Sequence, residues 1–447
     1  MAANSHERRI VIMGAAGRDF HNFNVLYRDD PASRVVAFPS AQIPGIGGRR
    51  YPASLAGPRY PHGIAIVDEA ELEEICRCES IDQVDFAYSD VPHDKVMHAA
   101  SRAMAAGASF HLAGPGQTEL PTRIPVIAIC AVRTGCGKSQ TARYLSRHLT
   151  DKGLRVAAIR HPMPYGDLAR QAVQRFANLA DLDAADCTIE EREEYEPHIA
   201  NGSVVFAGVD YAAILARAEA EADVILWDGG NNDFSFIKPD LMITLVDALR
   251  PAQLTTHHPG ETTLRLAGIL VIAKADAAAA ADVAALERRL DALRPSRPIV
   301  RAASPVVLDD PEAVTGKRVL IVEDGPTITH GGMPWGAGHH VVAGLPGVTL
   351  VDPRAHAHPE ISKVFEAYPH IGPVLPAMGY GAGQLAALQA TIDAAPADVV
   401  VAATPIDLAA QIQVRHPVVR ARYRYADLDK PRLGDLIDAR LPDLGLA

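Results

Sequence analysis

Lys138 and Ser139 open a helical pattern directly after the run Val126-Ile-Ala-Ile-Cys-Ala-Val-Arg-Thr-Gly-Cys-Gly137. An apolar strand, a glycine-rich turn and a helix headed by Gly-Lys-Ser have the order of a nucleoside triphosphate cradle. Backbone N–H groups of Thr134, Gly135, Cys136 and Gly137 are expected around the phosphates, with Gln140 in the first helical turn. Lys138 would reach the β- and γ-phosphates, and the Ser139 hydroxyl would ligate Mg²⁺. The helix start adds its positive dipole end. Where this motif usually has its first glycine, the chain has Val132, and Arg133 follows. A guanidinium matches phosphate oxygens bidentately, so Arg133 is expected as a second catalytic cation on the triphosphate.

Other strand ends carry further chemistry. In Asp223-Val-Ile-Leu-Trp-Asp228-Gly-Gly, four apolar residues deliver Asp228 to a strand's end, where a P-loop protein holds its Mg²⁺. Val271-Ile-Ala-Lys-Ala-Asp276 sits where GTPases carry Asn-Lys-x-Asp. Ala273 replaces the asparagine while Lys274 and Asp276 remain, which favours ATP over GTP. No convincing general-base and nucleophile pair is present, which is compatible with phosphoryl transfer onto another phosphate, a step that needs gathered cations rather than a base. Arg160, Lys238, His330 and Arg354 are the candidates for the acceptor side. Thr327, Thr329 and His330, in the loop Val322 to Gly332, are candidate phosphate contacts. The run Glu190-Glu-Arg-Glu-Glu194 reads as a solvated helix face, and His257-His258 as a structural or substrate-loop pair rather than a metal site.

The elements that must position these groups alternate strand and helix. Arg9–Met13, Arg34–Phe38 and Val84–Tyr88 are strands of a first unit, with helices at Glu69–Cys76 and His93–Ala106 and a closing strand at Ser109–Leu112. This predicts a Rossmann-like parallel sheet over residues 1–120. Its turn, Gly14-x-x-Gly17, binds an anion or shapes the loop. A connector, Gly114-Pro-Gly-Gln-Thr-Glu-Leu-Pro121, marks the boundary. A P-loop NTPase-type α/β domain is expected over 121–447, with a possible further boundary near 300. Its strands fall near 155–159, 203–206, 223–227, 241–246, 268–273, 318–322, 348–351 and 398–401, and a helix follows Asp276.

Composition narrows the class. The 447 residues carry 48% hydrophobic and 22% charged side chains and a net charge of −11, ordinary for a globular protein and adverse to a nucleic-acid partner. Five cysteines fit neither a disulfide framework nor a zinc spacing, as in a reducing cytoplasm. No apolar run is long enough to span a membrane. A cytoplasmic homodimer acting on a small molecule is expected.

Several longer motifs together resemble one family. Met13-Gly-Ala-Ala-Gly-Arg-Asp-Phe-His-Asn-Phe-Asn24, Phe86-Ala-Tyr-Ser-Asp90, the segment 130–140, Trp227 to Phe234, Val322 to Gly332 and Ala403-Thr-Pro-Ile-Asp-Leu408 are similar to cyclic 2,3-diphosphoglycerate synthetase and its bacterial relatives. The resemblance implies a P-loop domain of the dethiobiotin synthetase class, with ATP and Mg²⁺ as cofactors. The activity it implies is ring closure of 2,3-diphosphoglycerate: one substrate phosphate takes the γ-phosphoryl group, and the second attacks the anhydride and expels phosphate. A metallochaperone-like GTPase or ATPase switch, or a kinase of a 2-phosphoglycerate-like substrate, are the alternatives.

Overall fold

Val126–Ala131 is a strand with every residue buried. A run that is apolar without alternation demands a parallel sheet covered on both faces, and that is where the chain puts it. The computed structural model describes residues 7–15, 17–41, 48–161, 167–230, 233–329, 331–377, 382–404 and 408–446.

The sheet built around Val126–Ala131 has nine strands, in the order Gln174–Phe176, Val204–Ala207, Val156–Arg160, Val224–Trp227, Val126–Ala131, Leu241–Asp247, Ile269–Ala273, Ile299–Ala303 and Ala426–Asp427. All pairings are parallel except those of the two edge strands. The P-loop strand therefore lies mid-sheet, flanked by Val224–Trp227 and Leu241–Asp247. The C-terminal ends of these strands open on one side, the side on which open α/β sheets build sites.

Before this domain comes a six-stranded sheet in the order Arg50–Tyr51, Ile64–Asp68, Ser33–Ser40, Arg8–Met13, Gln83–Phe86, Ser109–His111. It is parallel apart from its Arg50–Tyr51 edge, a Rossmann-like arrangement. The fold is thus an N-terminal Rossmann-like sheet followed by a P-loop NTPase-type α/β domain. Beyond Ile299–Ala303 the chain builds another sheet, in the order Val306–Leu308, Val418–Tyr423, Val399–Ala403, Arg318–Asp324, Thr349–Leu350, with Leu375–Ala377 also paired to Arg318–Asp324. It then re-enters the central sheet at Ala426–Asp427 and lays the helix Leu433–Asp438 against the central core through Leu433 and Ile437. Between Ile299–Ala303 and Ala426–Asp427 the chain thus makes an excursion from the central sheet, which begins close to the possible boundary near 300.

The Rossmann-like sheet is docked to the P-loop domain by buried polar contacts. Arg18 donates from Nε to Asp233 Oδ1 at 2.7 Å, and the Ser89 hydroxyl reaches the same oxygen. Arg133 Nε lies 2.8 Å from Asp90 Oδ1. His257–His258 forms a short antiparallel ladder with Val91–Pro92. His21 stacks on Phe236 with centroids 4.3 Å apart. The Gly14-x-x-Gly17 turn belongs to this junction: a side chain on Gly17 would come within 2.6 Å of His161 Nδ1. Arg18 and Asp233 are 3% and 5% exposed. Arg18→Ala strands a buried carboxylate, and removing one partner of such a pair costs about 3–5 kcal/mol. Urea unfolding should show that loss; a shift within about 0.5 kcal/mol, the scale of an ordinary surface change, would mean the pair does not hold the units together.

Candidate active site

The turn after Val126–Ala131 is shaped by Gly135 and Gly137, whose φ values of +80° and +94° lie in the left-handed region, where residues with a Cβ are penalised. The helix Lys138–Thr150 starts immediately after, anchored by Ala142, Leu145 and Leu149 in the core. Register does the rest. Val224–Trp227 runs parallel beside the P-loop strand, with Trp227 opposite Ala128, so Asp228 emerges beside the cradle.

Asp228 is fully buried and is the hub of the site. Lys138 Nζ sits 2.6 Å from its Oδ1. Arg160 pairs with Oδ2, and His198 Nε2 lies 3.1 Å from that same oxygen. Burial pushes the Asp228 carboxyl upward, but Arg160 and Lys138 outweigh it and hold the group well below the usual carboxylate range. Arg160 is shared, its other face pairing with Glu194. Burial keeps His198 below its ordinary value, against the pull of Asp228.

At one end of the cleft lie the residues after Ile269–Ala273. Lys274 adopts φ +56° and sends Nζ to Gly135 O at 2.7 Å and Asp247 Oδ2 at 2.8 Å. Arg250 links Asp247 (2.9 Å) to Thr134 O (2.7 Å), so a lattice of buried charge fixes the P-loop from behind. Asp276 Oδ1 accepts from Ser304 N at 3.2 Å, and the Ser304 hydroxyl donates to Gln140 Oε1 at 3.0 Å. Ser304, Ala277 and Leu249 complete a socket beside Gly135 that faces the cradle.

Another part of the lining is acidic and aromatic. Glu193 and Glu194, from the helix Ile189–Ala200, line the cleft together with Glu323 and Asp324, from the end of Arg318–Asp324, and with Met333, Trp335, His340 and Tyr423. Trp335 is 42% exposed and stacks on His339 at 4.6 Å.

No protein-family model matches the chain. Over 436 residues it is 51% identical to arginine synthetase ArcE of Thermococcus kodakarensis, covering 98% of this chain and 97% of that protein. The chain belongs to the ArcE family. It is an enzyme of the ligase class, as a synthetase family requires. Among solved structures it is similar to LpxK from Aquifex aeolicus in complex with ATP (14% identity, 72% of this chain and 90% of that one, TM-score 0.41). It is also similar to a ParA family ATPase from Chlorobium tepidum (17% identity, 40% and 83%, TM-score 0.23). Both likenesses are distant, and the fold assignment rests on the strand order above.

In this ArcE-family cleft the structure gathers Thr134, Gly135, Gly137, Lys138, Ser139, Gln140, Arg160, Lys274 and Asp276, with Asp228 behind Lys138 and Arg160. Cys136 points away, its side chain buried in the core. Arg133, expected on the triphosphate, is not among the residues that line the cleft. It turns into the junction, to Asp90 and to His257 Nε2 at 2.8 Å. Lys238 lines a separate hollow with Arg294, Arg297 and Arg440, beside Asp240 and Leu241 at the N-terminal ends of the strands. Arg354 pairs with Asp352 and covers Phe365, its Cζ 4.8 Å from the ring centroid. His330 lies outside the described residues. Thr327 and Thr329 spend their hydroxyls on Asp324 and Gly325 O rather than presenting them to phosphate. The acidic run is not a solvated face: Glu191 and Glu193 are buried, and Glu194 lines the cleft. From sequence, Glu193 and Glu194 lay in the acidic run and Glu323 and Asp324 in the loop Val322 to Gly332, but none of the four was given a site role, and Trp335 and Ser304 lay outside every segment named.

Among the described residues no trio of His, Cys, Asp or Glu forms a metal cage, and no helix is long and apolar enough to cross a membrane. Mg²⁺ needs no such cage. It takes one or two protein oxygens and completes its shell with water and substrate phosphates. Ser139 Oγ and Asp228 are hard oxygen donors of the right kind, and Asp228 Oδ1 becomes available once Lys138 turns to a phosphate.

Proposed function

We propose that the chain is an ATP-dependent ligase that completes the guanidinium group of arginine on an amino-acid acceptor. The observation that carries the reading is the polarity of the cleft. Its P-loop end offers backbone amides, Lys138 and a helix start, which suit a triphosphate. The rest of its lining offers four carboxylates, Glu193, Glu194, Glu323 and Asp324, together with the part-exposed Trp335. A polyphosphate acceptor would be repelled there, whereas an ammonium group or a planar guanidinium would be paired and stacked.

The chemistry follows from what the residues hold. A triphosphate entering the cradle draws Lys138 off Asp228 and onto the β- and γ-phosphates. Arg160, fixed between Asp228 and Glu194, keeps its charge aimed at the junction of nucleotide and acceptor. Mg²⁺ held by Ser139 and Asp228 would neutralise charge on the phosphate oxygens. An acceptor ending in a ureido group offers its oxygen to the γ-phosphoryl group. An amine nitrogen then attacks the carbon, the C–O bond breaks, and phosphate leaves. Ala273, in place of the asparagine that reads guanine, and the Asp276–Ser304 contact favour ATP.

Closure of 2,3-diphosphoglycerate into its cyclic form is the competing reading. It would need cations beside the acidic lining, and two of the candidates, Lys238 and Arg354, lie outside the cleft. One experiment separates the two. The enzyme is supplied with ATP and Mg²⁺ plus either citrulline and ammonium or 2,3-diphosphoglycerate, and ADP and organic products are quantified. Arginine formed in step with ADP is expected. ADP release stimulated by 2,3-diphosphoglycerate alone would replace this reading with ring closure.

A further inference from the structure

Glu323 is a carboxyl group for which the chain builds a receptacle. It is the last residue but one of a strand whose Val319–Val322 are core, its side chain is 1% exposed, and it nevertheless lines the cleft. Its oxygens accept from Gly338 N at 3.2 Å and His339 N at 2.7 Å. The receptacle is made by the segment Trp335-Gly-Ala-Gly338. A side chain on Gly336 would come 2.5 Å from Glu323 Oε2, and one on Gly338 would come 2.8 Å from Ala403 Cβ and 2.9 Å from Ile321. Only glycine lets the backbone come this close.

What the receptacle lacks is a cation. Asp228, the other fully buried carboxylate of the cleft, has Lys138 and Arg160; Glu323 has no ion pair among the described residues, and its charged neighbours do not supply one. Asp324 precedes the turn on the same strand, His339 and His340 stand on the facing helix Ala337–Ala343, and Glu193 and Glu194 line the same cleft. Burial without a counter-ion suits a carboxylate to gaining a proton, and here it outweighs the two amide contacts that favour the charged form.

We propose that Glu323 is the proton acceptor for the attacking amine, a role that rests on the ligase reading above. The nitrogen lone pair forms the new C–N bond, the C–O bond to the phosphorylated oxygen breaks with loss of inorganic phosphate, and one N–H proton passes to Glu323 Oε. Burial, against the opposing amide contacts, raises this carboxyl to about 7, where a base is both free to accept and strong enough to do so.

The test compares wild type with E323Q and E323D in the full chain, reading arginine formation from ATP, citrulline and ammonium across pH 5.5–9. Loss of a general base costs roughly 10²–10⁴-fold in rate. With rates expressed per free ammonia, since ammonium must first lose a proton to solvent, E323Q should lose about that much kcat and with it the remaining acid limb of the pH profile, while E323D keeps the limb at reduced rate. Because an amide side chain opposes the Gly338 and His339 N–H groups, binding of a non-hydrolysable ATP analogue and the thermal midpoint are read on each variant. E323Q that binds the analogue and keeps either full kcat or the acid limb overturns the proposal alone. If E323Q neither binds nor folds, E323D decides: its acid limb must persist, and absence of that limb overturns the proposal. A wild type that makes no arginine overturns this assignment together with the function it rests on.

Discussion

Lys138→Ala is expected to remove ATP-dependent turnover almost completely while leaving the fold standing. Lys138 has two roles that compete for one ammonium group. It neutralises Asp228 Oδ1 at 2.6 Å, and on the proposed reading a triphosphate in the cradle would draw it to the phosphates. The first role is redundant, since Arg160 and His198 also converge on Asp228, and the Lys138 side chain keeps 11% exposure from which water can take over. The second is not redundant. Arg133, the other cation of the loop, is committed to Asp90 and His257, and Lys274 is committed to Gly135 O and Asp247. Removing one preorganised charge-stabilising group typically lowers kcat by about 10²–10³-fold, and here the ground-state hold on ATP weakens too. ADP release under saturating ATP and calorimetric titration with an ATP analogue measure the two effects; urea unfolding should move little. Turnover within a few-fold of wild type would mean that the cleft does not bind the triphosphate through its P-loop.

The contrast between Lys138 and Arg133 shows what local sequence conveys. The strand, the glycine turn and the helix start are contiguous, so backbone geometry alone brings Lys138 and Ser139 to the cradle. Asp228, Lys274 and Asp276 were also legible, because apolar runs deliver them to strand ends and the parallel sheet turns those ends to one side. Arg133 differs. Which way it leaves the loop depends on Asp90, forty-three positions earlier by their numbers, and on how the two sheets dock. Lys238 and Arg354 fail for the same reason: charge type was visible, but the side of the sheet they occupy was not. Glu190–Glu194 looked like a solvated face because acidic runs usually are one. Arg160, buried at the end of its strand, instead draws Glu194 inward, and the third sheet supplies Glu323 and Asp324. That sheet is the part of the fold least legible in sequence. Val418–Tyr423 reads Val-Val-Arg-Ala-Arg-Tyr, with charge at alternate positions, and short strands like Val306–Leu308 and Ala426–Asp427 carry too few residues to show a period.

The polarity of the cleft also gives the ligase family's ordering problem a physical form. A phosphorylated acceptor is hydrolysed if water arrives before the amine, so the site must hold the acceptor away from bulk solvent. On the proposed reading Glu323, Asp324 and Trp335 would do this from the third sheet, and the P-loop with Glu193 and Glu194 from the central domain, while the chain's return to the central sheet at Ala426–Asp427 tethers the two at both ends of the excursion.

Asp228→Asn should be the most damaging single change in the cleft, to stability as well as to turnover. The carboxylate is fully buried between Lys138, Arg160 and His198. Asparagine has nearly the same shape but leaves two cations facing a neutral group, and uncompensated buried charge costs about 3–5 kcal/mol. Glu194 still pairs with Arg160, which puts the expectation toward the lower end of that range. The pH dependence carries the sign. Arg160 and Lys138 depress the folded-state carboxyl below its unfolded value of about 4. The unfolded chain therefore takes up a proton that the folded chain refuses, and the stabilisation is present above about pH 4 and is lost as pH falls below it. The gap between wild type and Asp228→Asn in urea unfolding should be widest near pH 7 and narrow toward pH 3. The same variant removes one of two oxygens available to Mg²⁺, so the Mg²⁺ concentration for half-maximal turnover should rise. A gap that stays constant from pH 7 to pH 3 would show that the charges around Asp228 do not hold it ionised. A variant as stable as wild type at pH 7 would remove Asp228 from the centre of the network altogether.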